Sequence, residues 1–181
     1  MDTLQSQFIK FHDTIKLDAK DKQVLIEKRE EVEEIINNGV SEFEKSFFNQ
    51  GSYSTFTGIL PLEDGDYDLD RGLRFEIDRN SNTPKEIKKI IFNTLVSKFG
   101  ENNVKVKNPC VTVSFPKDNV HIDIAVYCIE NDNYFLARGK LNSKEENIKW
   151  EEADPVELTE KINNAMENSE DRKQFRRVIR Y

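Results

Sequence analysis

The chain has 181 residues, 36% hydrophobic and 34% charged, enough apolar content for one compact core and too much for a disordered segment. Its formal charge of -7 excludes a protein that coats nucleic acid through broad phosphate contacts, because such domains present a basic surface. An acidic chain that handles nucleotides needs divalent metal to screen their phosphates. Cys110 and Cys128 stand in apolar runs with no CxxC pair, which reads as two core thiols in a reducing cytosol. The start "MDTLQSQFIKFHD" lacks the basic and apolar regions of a signal peptide, and no segment approaches the roughly 18 apolar residues of a membrane span, so a cytoplasmic protein without membrane contact is expected.

In chain order, Leu4, Phe8, Ile9 and Phe11 mark a short helix. Val24, Leu25, Val32, Ile35 and Ile36 then give a one-sided helix over 21–38, stopped by Asn37, Asn38 and Gly39. "EKSFFNQGS" reads as a strand running into a Gly-Ser turn, and "DYDLDRGLRFEI" as a second, acidic strand. Thr83 and Pro84 open the clearest helix, "KEIKKIIFNTLVSKF", which ends at Gly100. Four short runs follow, "NVKVK", "CVTVSF", "VHIDIAVYC" and "NYFLARGK", and predict a mixed or antiparallel sheet. The region 141–152 reads as a polar loop apart from Trp150. Asp154-Pro155 opens a helix to about Asn168, and "DRKQFRRVIRY" starts another. No repeat, low-complexity linker or internal boundary divides the chain, so residues 1–181 are expected to form a single α+β domain with helices flanking the sheet.

Alternation along the acidic strand puts Asp66, Asp68 and Asp70 on one side and Tyr67 and Leu69 on the other. In "VHIDIAVYC" the apolar residues Ile122, Ile124, Val126 and Cys128 share one face, leaving His121 and Asp123 on the opposite face. Two carboxylates about 4 Å apart repel by roughly 4 kcal/mol at an effective dielectric near 20, so clustering them calls for protonation or a cation. A solvated edge would carry the same alternation without binding anything. A calcium loop does not fit, because counting from Asp66 puts Arg71 at the glycine position and Ile77 at the bidentate glutamate position. The Gly51-Ser52 turn favours the metal reading, since glycine admits close backbone approach and a helix N-terminus favours phosphate.

A Gly-Ser turn, an Asp-x-Asp strand and a third aspartate on a later strand resemble the nucleotidyltransferase superfamily that includes DNA polymerase β. "QGSYSTFT", "DYDLDRGL", "VHIDIAVY", "WEEADP" and "FRRVIRY" together resemble the bacterial cGAS/DncV-like nucleotidyltransferases, which make cyclic di- or oligonucleotide signals in antiphage (CBASS-type) defence. The resemblance implies a polymerase β-like nucleotidyltransferase core that joins NTPs with release of pyrophosphate, using two magnesium or manganese ions. Asp68 and Asp70 match the metal-binding pair and Asp123 the third carboxylate, as ligand or base on the acceptor hydroxyl. Ser52 would hold donor phosphates beside Gly51, with Gln50 and Tyr53 flanking the nucleotide. Asp66 falls outside that triad, and His121 reads as a structural or hydrogen-bonded neighbour.

Relatives continue past the "FRRVIRY" helix into a C-terminal helical half that walls the nucleotide pocket, and here the sequence stops at Tyr181. A missing C-terminal half, or a regulatory partner in its place, is therefore expected, with Arg176, Arg177 and Arg180 as a solvated helix face or as phosphate contacts. The resemblance leaves two other readings open: a small nucleotidyltransferase that modifies a protein or RNA, and a nucleotide-binding fragment without activity.

Overall fold

In this computed structural model, which describes residues 3–15, 17–61, 65–165 and 168, helices α1 (Leu4–Ile15) and α2 (Ala19–Gly39) lead to strand β1 (Lys45–Asn49) and the single turn α3 (Gly51–Ser54). Strand β2 (Tyr67–Glu76) and helix α4 (Pro84–Phe99) follow. Next come β3 (Val104–Val106), β4 (Cys110–Phe115), β5 (Val120–Glu130), β6 (Asn133–Arg138), β7 (Lys149–Ala153) and helix α5 (Pro155–Asn164). The two long helices start on reciprocal caps. Asp21 N–H donates to the Asp18 carboxylate at 2.8 Å, and Asp18 N–H donates to that of Asp21 at 3.1 Å. Thr83 and Glu86 repeat the arrangement on α4, with Pro84 in the first turn where no N–H is needed.

The strands form a mixed sheet in the order β1-β2-β5-β4-β3, with β6 beside the C-terminal half of β5 and β7 beyond it. The central pair β2·β5 is parallel and its neighbours are antiparallel. Leu69, Leu73 and Phe75 of β2 and Ile122, Ile124 and Val126 of β5 face one way. Leu25, Val32 and Ile36 of α2 and Ile87, Ile91 and Leu95 of α4 cover them, and all are buried in one cluster. Each such side chain contributes about 1.5–3 kcal/mol on burial. With both long helices on this face, the other is left to polar residues and to a smaller cluster of Ala125, Tyr127 and Leu136 packed on Phe48 and Tyr134.

A charged side chain of the sheet sits on the covered face. Arg71, 7% exposed between Leu69 and Leu73, donates from Nε to Glu33 Oε1 of α2 at 2.6 Å and from Nη1 to Asn49 Oδ1 at the end of β1. The bonds tie α2, β1 and β2 together beside the Gly-Ser turn.

Two expectations are corrected. Lys149–Ala153 is not loop but strand β7, paired antiparallel with β6. Its polar composition suits an edge strand, while Trp150 packs on the main cluster and donates from Nε1 to Asn82 O at 2.8 Å. Helix α5 ends at Asn164 rather than near Asn168, because the consecutive residues Asn163 and Asn164 are weak helix formers. "DRKQFRRVIRY", with Arg176, Arg177 and Arg180, lies outside the described residues. Cys110 and Cys128 are buried and unbridged, and burial pushes their thiols up to about 12 and about 11.

Candidate metal and nucleotide site

On the face of the sheet away from α2 and α4, the parallel register sets Asp70 opposite Asp123 and Asp68 opposite His121. Asp68, Asp70 and Asp123 each bring a carboxylate oxygen to a group lying within 4.8 Å of one another. The strain of this arrangement is electrostatic. Burial, then the charges of Asp68 and Asp123, push the Asp70 carboxyl up to about 6, against the pull of Lys107. Burial and Asp123 likewise raise Asp68, while Lys107 and His121 oppose the shift. Asp66 precedes the first residue of β2 and stands outside the group, with its Oδ2 3.0 Å from His121 Nε2.

Two residues that the strand pattern did not single out complete the surroundings of Asp123. Thr112, its partner across β4·β5, donates from Oγ1 to Asp123 Oδ1. Lys107, just past β3, brings Nζ to 3.1 Å from Asp123 Oδ2 and 3.4 Å from Oδ1. Burial works against the Lys107 ammonium, but the hydrogen bond and charge of Asp123 outweigh it and leave it raised. One ammonium against three carboxylates leaves the group net negative. All-oxygen donors with surplus negative charge fit a hard divalent cation.

The Gly-Ser turn lies against this group. Gly51 has φ of +61°, and a Cβ there would overlap the Asp70 carboxylate, so both backbone conformation and close approach require glycine. Ser52 follows in α3 and lines a cleft of about 670 Å³, whose wall also takes Lys22, Tyr53, Thr57, Tyr67 and Asp68. Such a volume is within the usual range for small-molecule sites. Tyr53 packs partly on the main cluster, with the Arg29 guanidinium 6.0 Å from its ring centroid, so only part of it faces the cleft. Gln50, just before the turn, accepts at Oε1 from Tyr127 Oη at 3.0 Å.

Residues 45–127 match the family described as Cyclic GMP-AMP synthase DncV-like, nucleotidyltransferase domain. Over those residues the chain is similar to the cGAS/DncV-like nucleotidyltransferase domain. Solved structures of similar fold include Vibrio cholerae DncV cyclic AMP-GMP synthase with a linear intermediate, at TM-score 0.75 and 16% identity, covering 94% of this chain and 62% of that one. Bradyrhizobium diazoefficiens CD-NTase CdnG with GTP superposes at TM-score 0.72 and 16% identity, covering 88% of this chain and 46% of that one. Escherichia coli DncV with 3'-deoxy GTP does so at TM-score 0.66 and 17% identity, covering 91% and 60%. The chain therefore spans less than two thirds of the length of these structures. No curated protein sequence matches it. No helix of the described residues is long and apolar enough to cross a membrane.

Proposed function

We propose that this DncV-like domain is the catalytic part of a metal-dependent nucleotidyltransferase that joins NTPs into a cyclic di- or oligonucleotide signal for antiphage defence. The observation that carries the reading is the convergence of Asp68, Asp70 and Asp123 beside a glycine turn that only a residue without Cβ can make. Asp68 and Asp70 would hold two magnesium or manganese ions with Asp123, and the ions would supply charge neutralisation for the transferring phosphoryl group and the departing pyrophosphate.

The residues of the chain do the rest. Ser52, on the cleft wall, hydrogen-bonds a donor phosphate, and Gly51 lets that phosphate approach the backbone. The adjacent cleft accepts the nucleoside, with part of the Tyr53 ring on its wall. Asp123 orients the acceptor ribose hydroxyl and takes its proton, while Thr112 and Lys107 fix the rotamer of that carboxylate. The attacking oxygen forms its bond to the donor α-phosphorus as the bond to pyrophosphate breaks, so positioning and electrostatics carry the catalysis. Gln50, held by Tyr127, supports the turn and flanks the nucleotide.

The test is incubation of the protein with each labelled NTP and with all four, with magnesium or manganese, followed by phosphatase and chromatography. A phosphatase-resistant nucleotide product is expected. Label that appears only on added protein or RNA would replace the cyclase reading with macromolecule modification, and no product from a folded protein extended by the expected C-terminal half would make the domain a binding module.

A further inference from the structure

Lys88 of α4 is fully buried, and its ammonium spends its three hydrogens on backbone carbonyls: Lys107 O at 3.2 Å, Asn108 O at 2.7 Å and Gly139 O at 3.0 Å. Burying an ammonium against neutral carbonyls is costly, and a methionine would fill a similar space without that cost. Burial pushes Lys88 down to about 8, so it stays charged at neutral pH. Its three bonds draw the turn between β3 and β4 against the end of β6. Two further bonds close that turn: Gly139 N–H donates to Asn108 Oδ1 at 2.8 Å, and Lys107 N–H to Cys110 O at 2.9 Å.

From this clamped turn the Lys107 side chain reaches Asp123, and its charge is felt at Asp68 and Asp70. Three carboxylates alone attract a divalent ion whether or not nucleotide is present. A fixed ammonium among them opposes any second cation by direct repulsion.

We propose that Lys107, positioned by Lys88, is a resident cation that lowers the affinity of the Asp68, Asp70, Asp123 group for divalent metal, so that metal is held firmly only together with the phosphates of a nucleotide. Lys88 is a positioning residue and acts only through Lys107. The inference rests on the reading of the three aspartates as a metal site.

Manganese binding to the metal-free protein, measured calorimetrically without nucleotide, tests it. Lys107→Met is expected to bind manganese about tenfold more tightly than the wild type. Lys88→Met should tighten it in the same direction by about threefold, and the double variant should bind no more tightly than Lys107→Met alone. Loss of packing cannot by itself tighten metal binding, so this direction separates positioning from simple structural support. If Lys88→Met does not fold, Asn108→Ala releases the same turn from Gly139 and should shift affinity the same way. Unchanged or weaker binding by Lys107→Met overturns the proposal, and unchanged binding by folded Lys88→Met overturns the role of Lys88. No manganese binding by Lys107→Met, or an Asp70→Asn variant that binds it as the wild type does, would instead overturn the metal-site reading.

Discussion

Asp70 and Asp123 face each other directly across the parallel pair β2·β5, so the sheet itself holds two carboxylates together. The pH dependence follows from the sign of the resulting shift. The Asp70 carboxyl is raised from 3.8 to about 6, so the folded chain binds a proton more tightly than the unfolded chain does. Its contribution to stability is fully present below pH 4 and is lost as pH rises to about 6. In chelator, Asp70→Asn should therefore be more stable than the wild type at pH 7, by about 2 kcal/mol, with the gap closing below pH 4. Urea denaturation across that pH range measures it. A less stable variant at pH 7 would mean that Asp70 supports the fold and not a ligand.

Gly51→Ala forces a side chain into the left-handed region and onto the Asp70 carboxylate. The conformational cost is about 1–2 kcal/mol. The displaced carboxylate should lower turnover by about 100-fold while the protein remains folded. Turnover and a thermal melt on the same sample separate the two effects.

Arg71→Met takes from the partly buried Glu33 its closer cation and leaves it Arg29 Nε at 3.6 Å. A cost of about 1–3 kcal/mol is expected, and Arg71→Met with Glu33→Leu should cost less than Arg71→Met alone. Urea denaturation of the single and double variants decides this.

Thr83→Ala removes the side-chain acceptor at the start of α4, far from the three aspartates. A loss of about 1 kcal/mol is expected, with metal affinity unchanged. Chemical denaturation and manganese titration check both halves.

What the sequence revealed and what it hid divide along physical lines. Asp68 and Asp70 were legible because strand alternation puts them on one face, and Thr83-Pro84 because caps are local chemistry. Asp123 was legible from the apolar phase of Ile122 and Ile124. Lys107 and Thr112 were hidden because their proximity to Asp123 depends on the β4·β5 register and the path of one turn, neither written in local spacing. Cys110, Thr112 and Ser114 do alternate in "CVTVSF", a trace that could have marked Thr112 once the pairing was known. Lys88 offered no signal, since a lysine on a charged helix reads as solvated until α4 is docked on the sheet. β7 was missed because an edge strand tolerates the polar residues that usually mark a loop.

The most direct test of the central claim is pyrophosphate release from NTPs as a function of magnesium or manganese, comparing the wild type with Asp123→Asn and with Asp68→Asn/Asp70→Asn. The account predicts metal-dependent release by the wild type and a loss of at least about 1,000-fold in both variants, each still folded. Release that persists in the folded variants, or that needs no divalent metal, would contradict it.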